Sequence, residues 1–163
     1  MHGTFLYFRN KMQKMFIVRE ARLQDISVIA NFQLAMAWET EKLELDPEVV
    51  SFGVKAVFED SSKGVYYVAD MDGEIVGSLL TTFEWSDWRN GTVLWIQSVY
   101  VKPGYRRRGI YSRMYSHLKE KVMSDPHLRG IRLYADVSNH MAHKVYEALG
   151  MNSEHYKTYE WMK

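Results

Sequence analysis

The chain has 163 residues, 47% of them apolar and 14% aromatic, which suits one domain with a sizeable core and excludes both a disordered chain and a second domain. A net charge of +1 argues against general affinity for nucleic acid or an anionic membrane, and the lack of cysteine excludes disulfides, thiolate metal sites and a cysteine nucleophile.

Met1 to Lys14 lacks the long apolar core of a signal peptide, and no later run approaches a membrane span. The expectation is a poorly ordered extension over 1–14, one domain over 15–163, and a cytoplasmic location. Met12 or Met15 is a candidate start, because the first strand begins only near Phe16. Met15 to Glu20 alternates as a strand, and Leu23 to Trp38 carries Ile26, Ile29, Ala30, Leu34 and Ala37 at helical spacing. Asp46-Pro47-Glu48 starts a second helix, with Asp as cap and Pro at the first position, leading through Val49, Val50, Val54 and Val57 to near Asp60.

Val65 to Met71, the turn Asp72-Gly73 and Glu74 to Trp85 read as a hairpin. Asn90-Gly91 repeats the device before Thr92 to Val101, which gives a three-stranded antiparallel meander. Asn90-Gly91-Thr92 is formally a glycosylation sequon, read here as a turn. After Pro103-Gly104 come Arg106, Arg107, Arg108 and Gly109, and a helix whose ladder is Ile110, Met114, Leu118 and Val122. A helix start leaves backbone N–H groups without partners at its electropositive end, so this corner suits a phosphate ester. Ile110 and Tyr111 stand where a nucleotide-hydrolysing loop needs Lys and Ser/Thr, and no Gly-x-Gly-x-x-Gly occurs, so neither a Walker loop nor a dinucleotide fingerprint fits.

That helix ends by Pro126, and Ile131 to Val137 is a strand parallel to Thr92–Val101 through a helical crossover. Ala142, Val145, Tyr146 and Leu149 share a face of a last helix stopped by Gly150, and Tyr156 to Met162 alternates as a final strand. His140 and His143 lie three apart on that helix without a third ligand, so solvated histidines are expected and no metal.

Val99-x-Val101-x-Pro103, Arg106-x-x-Gly109-x-Tyr111 and Asn139-x-x-Ala142-x-x-x-Tyr146-x-x-Leu149-Gly150-Met151, in this order over roughly residues 16 to 162, resemble the GNAT superfamily of acyl-CoA-dependent N-acetyltransferases. Tyr111 departs from the family's small residue, so its side chain must leave by another route. The resemblance implies an α/β domain with a central, mostly antiparallel sheet of about six to seven strands, one parallel pair and about four flanking helices. It implies acetyl-CoA as cofactor, held by Val99, Tyr100, Val101, Arg106, Arg107, Arg108, Gly109, Ile110, Tyr111, Ser112, Asn139 and Tyr146. Val99 and Val101 would hold the pantetheine arm in the manner of an added strand, with the Val99 N–H on the thioester carbonyl.

Tyr146 matches the family's tyrosine acid, although by spacing alone it reads as a core aromatic. Asn139 is in either case a helix cap. Glu84 is the carboxylate candidate for the base, against a plain strand-end acid, and Gln97 can position a water. Glu39 and Glu41 suit selection of a cationic acceptor, with Trp85 in an aromatic wall. The acceptor is then an amine, of a small molecule or a protein, with no nucleic acid or membrane partner, and dimers are frequent in the family. The competing readings are a non-catalytic acyl-CoA sensor, and a nucleic-acid patch built from Tyr105, the arginines and Tyr111.

Overall fold

Among the described residues five strands are hydrogen-bonded in the order of the chain, and only the last joins its neighbour in parallel. The computed structural model describes residues 16–153 and 157–163. The extension over 1–14 and the choice between Met12 and Met15 fall outside the described residues. The elements are β1 (Ile17–Glu20), α1 (Ile26–Glu41), α2 (Pro47–Glu59), β2 (Val65–Met71), β3 (Glu74–Ser86), β4 (Gly91–Val101), α3 (Ile110–Ser124), β5 (Leu128–Leu133) and α4 (His140–Ala148). Among the described residues no helix is long and apolar enough to cross a membrane.

Local chemistry explains most of the boundaries. The Asp46 carboxylate accepts from the amides of Glu48 at 2.8 Å and Val49 at 3.4 Å, and Pro47 opens α2 without needing an N–H partner. Asp72 and Gly73 both take positive φ, 54° and 89°, the geometry a two-residue hairpin demands. Asn90 also lies in the left-handed region, but the connection it closes is longer than expected. Asp87–Arg89 form a short 3-10 turn, and the Arg129 guanidinium ties it down by donating to the carbonyls of Arg89 at 2.9 Å and Asn90 at 3.1 Å.

The two sheet faces are sorted by alternation along the strands. Tyr66, Val68, Ile75 and Tyr100 pack with Ile29, Phe32 and Val54 under α1 and α2, while Tyr67, Ala69, Val76, Leu79 and Ile96 pack with Ile110, Met114 and Leu118 of α3. Gly77 permits the close fit at the start of α3, because a Cβ there would stand 3.0 Å from the Tyr100 carbonyl oxygen and 3.6 Å from an Ile110 methyl.

Two expectations are corrected. The sheet has five strands among the described residues instead of six to seven, because Lys157 to Lys163 runs as an exposed, irregular segment. Tyr156 is not described. Alternation marks a strand only when a neighbour supplies hydrogen bonds, and that segment has no partner strand among the described residues. The last strand also sits earlier than expected, at Leu128–Leu133 instead of Ile131–Val137, because β4 bends away beyond Ile96, the partner of Leu133.

Candidate active site

Pairing between β4 and β5 ends at Ile96 and Leu133, and at the same point β4 carries a bulge. Ile96 faces Thr81 and Ser98 faces Leu80, so Gln97 is the extra residue. A bulge adds twist and turns the strand. From Gln97 to Val101 the β5 side of β4 therefore has no partner strand among the described residues. The Lys102 amide donates to the Val76 carbonyl at 2.9 Å and so points at β3. Alternation then turns the backbone polar groups of Tyr100 toward β3 and those of Val99 and Val101 toward the open side. An extended ligand can add itself along that edge.

The open edge leads to a row of free amides. Backbone N–H groups from Arg107 through Ser112 donate to no acceptor among the described residues, and the first helical bond at this end runs from Arg113 to the Gly109 carbonyl at 3.0 Å. Gly109 takes φ 76°, and an added Cβ would meet nothing within 4 Å, so the space in front of the helix is open. Consecutive amides at a helix start are an anion site. Arg107 also lies in the left-handed region, at φ 59°, and Arg108 stacks on the Tyr105 ring at 5.4 Å. Ile110 is buried in the core under the amides, and Ser112 sits in the first turn.

Arg106 is employed differently. Its Nε donates to the Val101 carbonyl at 2.8 Å, its Nη2 reaches the Glu39 carboxylate at 2.5 Å, and its guanidinium lies 5.4 Å over the Tyr100 ring. Glu39 also accepts from the Tyr100 hydroxyl at 2.9 Å. The hydrogen bond from Arg106 holds the Glu39 carboxyl below its ordinary range, whereas burial, and then Glu39, push the Tyr100 phenol up. Glu39, expected at the acceptor, is thus tied to the loop that leads into α3. Glu41 ends α1 and is exposed.

α4 presents Tyr146 to the same region. Asn139 caps the helix through a 3.1 Å bond from the Ala142 amide, as its residue type predicts. No α4 residue is fully buried. The Tyr146 ring instead rests edge-on against Tyr111 at 5.7 Å, and Tyr111 contacts Tyr115 at 6.5 Å. The large residue that replaces a small one at position 111 therefore turns inward and becomes a support for Tyr146. The Tyr111 hydroxyl is buried without a partner, and burial raises both phenols, so Tyr146 keeps its proton at neutral pH.

On the face shared by α1 and α2, Glu84 forms an ion pair with Arg132 and accepts from the Trp95 indole. Gln97 donates to the Thr82 hydroxyl at 2.8 Å and accepts from Tyr134 at 3.3 Å. Glu84 lies five residues along β3 from Leu79, the residue opposite Val99, which is about 17 Å of strand. Its carboxylate thus stands well away from the Val99 amide and is engaged by a cation. Trp85, next to it in a period-two strand, points to the other face and is 66% exposed, so it does not share a wall with Glu84 and Gln97.

Arg132 and Trp95 escaped the sequence reading because only strand register brings them to Glu84. Their weak signal was position alone, each being a large side chain inside a strand. The His140 and His143 rings are 6.4 Å apart, with His143 Nε2 on the Asp136 carbonyl at 2.8 Å, and no three such ligands converge among the described residues.

Comparisons with known proteins bear on the fold and the family. The model of the "Acetyltransferase (GNAT) family" matches residues 25–151. A crystal structure described as a "possible acetyltransferase" from Clostridium difficile 630 is 42% identical, covers 91% of this chain and 98% of its own, and superposes with a TM-score of 0.85. A ribosomal-protein-alanine N-acetyltransferase from Brucella melitensis biovar Abortus 2308 is 16% identical over 91% of this chain and 100% of its own, with a TM-score of 0.72. An aminoglycoside N-acetyltransferase in complex with CoA is 12% identical over 91% and 95%, with a TM-score of 0.74. At the two lower identities the likeness is one of fold. No curated protein sequence gives a significant match.

Proposed function

This chain belongs to the GNAT family of acetyltransferases, enzymes that take their acetyl group from acetyl-CoA, and on that premise we propose that it acetylates a primary amine by direct attack within a ternary complex. The observation that carries the reading is the continuity of two unpaired backbone surfaces: the outward edge of β4 at Val99, and the free amides from Arg107 to Ser112. One suits an amide-rich chain adding as a strand, the other a pyrophosphate. When bound, acetyl-CoA supplies an electrophilic thioester carbonyl and a thiol leaving group.

The residues divide the work as follows. The Val99 N–H donates to the carbonyl oxygen, where charge develops during attack. Tyr146, which burial keeps protonated at neutral pH, hands its phenolic proton to the sulfur as the C–S bond breaks and regains one from solvent. Tyr111 fixes the ring of Tyr146 by edge contact. The amine must shed a proton, and Gln97, at the bulge, orients the water that receives it. Glu84 acts with Arg132 to hold Trp95 as part of the acceptor wall and does not take the proton itself.

The nucleic-acid alternative loses its patch, because Tyr111 is turned inward, Tyr105 donates to Glu74 at 2.8 Å and Arg106 is engaged by Glu39. A sensor without turnover is separated from an enzyme by one assay: thiol release from acetyl-CoA across a panel of small amines, polyamines and peptide amines. Release with at least one amine is the expected result, and CoA binding with no release across the panel would favour the sensor.

Two variants probe the parts. Gly109→Val forces a β-branched residue to φ 76° and fills the space before the amides, so the Kd for CoA measured by calorimetry should rise about 10- to 100-fold, the equivalent of about 1.4 to 2.8 kcal/mol. Glu84→Gln should lower kcat by less than about tenfold and leave the pH dependence of kcat/KM in place, whereas loss of a general base would cost about 10²-fold or more and erase the acidic limb.

A further inference from the structure

Arg106 is the residue of the phosphate loop whose side chain is most thoroughly engaged by the protein itself. It spans three features: the exposed edge of β4 at the Val101 carbonyl, the face of Tyr100, and the carboxylate of Glu39 in the last turn of α1. The loop from Lys102 to Gly109 is otherwise fastened mainly in its first half. Lys102 donates its amide to Val76, and Glu74 receives Lys102 Nζ at 3.0 Å and the Tyr105 hydroxyl at 2.8 Å. Beyond Tyr105 the backbone passes through Arg107 and Gly109, both at positive φ, with the Arg106 side chain as the long-range tie. A non-glycine residue in the left-handed region costs energy and persists only where its surroundings hold it.

We infer that Glu39 is a positioning residue for the cofactor loop: by clamping Arg106 from behind, it holds the amides of Arg107 to Ser112 in the arrangement that receives phosphate, and it ties that loop to the end of α1. This inference rests on the reading of those amides as the CoA site. Arg106 then works as a brace, and the phosphate is held by backbone N–H groups. The geometry favours this division, since guanidinium groups hold carboxylates with charge-assisted bonds, and Glu39 has its second oxygen fixed by Tyr100.

The rival assignment, Arg106 as a direct phosphate ligand, predicts the opposite sign for one substitution. Glu39→Gln removes the charge that holds Arg106 while leaving an acceptor for Tyr100. If Glu39 positions the loop, this variant binds CoA about tenfold more weakly, as expected for loss of one hydrogen bond to a charged group. Arg106→Gln weakens binding by a similar factor, and the double variant is no weaker than the poorer single one, because both act through the same contact. If Arg106 instead holds phosphate and Glu39 competes for it, Glu39→Gln binds CoA more tightly.

The test is calorimetric titration of CoA into the full-length parent and the three variants, each checked for an unchanged circular dichroism spectrum, with steady-state rates on the best acceptor. Support consists of weaker binding by Glu39→Gln, non-additivity in the double variant, and a KM for acetyl-CoA that rises by a larger factor than kcat falls. Unchanged or tighter binding by Glu39→Gln overturns the inference and leaves the site itself standing. Should Glu39→Gln fail to fold, Tyr100→Phe takes its place, with a two- to threefold rise in Kd in support and no change against. A parent chain that takes up no CoA overturns this inference and the site reading together.

Discussion

Tyr146→Phe is expected to lower kcat by about 10²- to 10³-fold, or about 3 to 4 kcal/mol of transition-state stabilisation, with the Kd for CoA changed less than about threefold. The reason lies in what the substitution removes. Phenylalanine keeps the ring that rests against Tyr111 at 5.7 Å, so α4 stays where it is and only the proton donor is lost. A rapid-quench or continuous thiol assay beside CoA calorimetry separates the two effects. Burial raises the phenol above its ordinary value near 10, so the parent should lose no activity from this group as pH climbs to about 9. Turnover that survives intact in Tyr146→Phe would assign the proton to another donor. Tyr111→Ala supplies the complement, since it keeps the acid but removes its support, and kcat should fall there too, with partial recovery in Tyr111→Phe.

The second large effect is on stability, at Asp25. This carboxylate is 3% exposed and receives the Arg19 guanidinium at 2.7 Å and the Arg22 amide at 2.7 Å, while Arg19 also reaches Asp70 on β2 at 3.0 Å. The group thus joins β1, the start of α1 and β2. Asp25→Ala leaves Arg19 largely buried with one carboxylate fewer and should cost about 3 to 5 kcal/mol, a fall in Tm of roughly 10 °C or more for a chain of this size. Burial opposes ionisation of Asp25, but the bonds from Arg19 and Arg22 outweigh it and hold the carboxyl below the unfolded value near 3.9. A depressed folded pKa means that the contribution is fully present above about pH 4 and is lost as pH falls through the folded value. Urea melts of the parent between pH 6 and 3 should therefore show stability falling at the acid end, and the slope should be shallower in Asp25→Asn. Equal slopes would remove Asp25 from the acid response. Because α1 starts at this cluster and carries Glu39 in its last turn, about 21 Å away at 1.5 Å per residue, a loose Asp25 corner should also weaken CoA binding.

Some of the site could be read directly from the chain. The Pro103-Gly104 bend, the arginines and Gly109 identified a helix start with free amides, which is how residues 107 to 112 stand in the structure. Asp46-Pro47 and Asp72-Gly73 specify local geometry through their own backbone and side-chain preferences, and both appear where expected. Asn90-Gly91 was a partial guide, because Arg129, far along the chain, pins a longer connection there. The roles given to Glu84, Trp85 and Glu39 depended on which face, and which partner, each side chain would meet. Glu84 and Trp85 are neighbours in sequence, and period-two geometry sends such neighbours to opposite faces.

What the amino-acid order determined alone was most of the succession of elements and the helix start with free amides after Pro103-Gly104, since caps, turns and amphipathic periods act over a few residues. What only tertiary structure decided was the partnership of side chains distant in the chain: Glu39 with Arg106, Glu84 with Arg132, Tyr111 with Tyr146, and the bulge at Gln97 where β4 leaves β5. Those depend on strand register and helix placement, which are set by burial of the whole core at once and leave no mark at any single position.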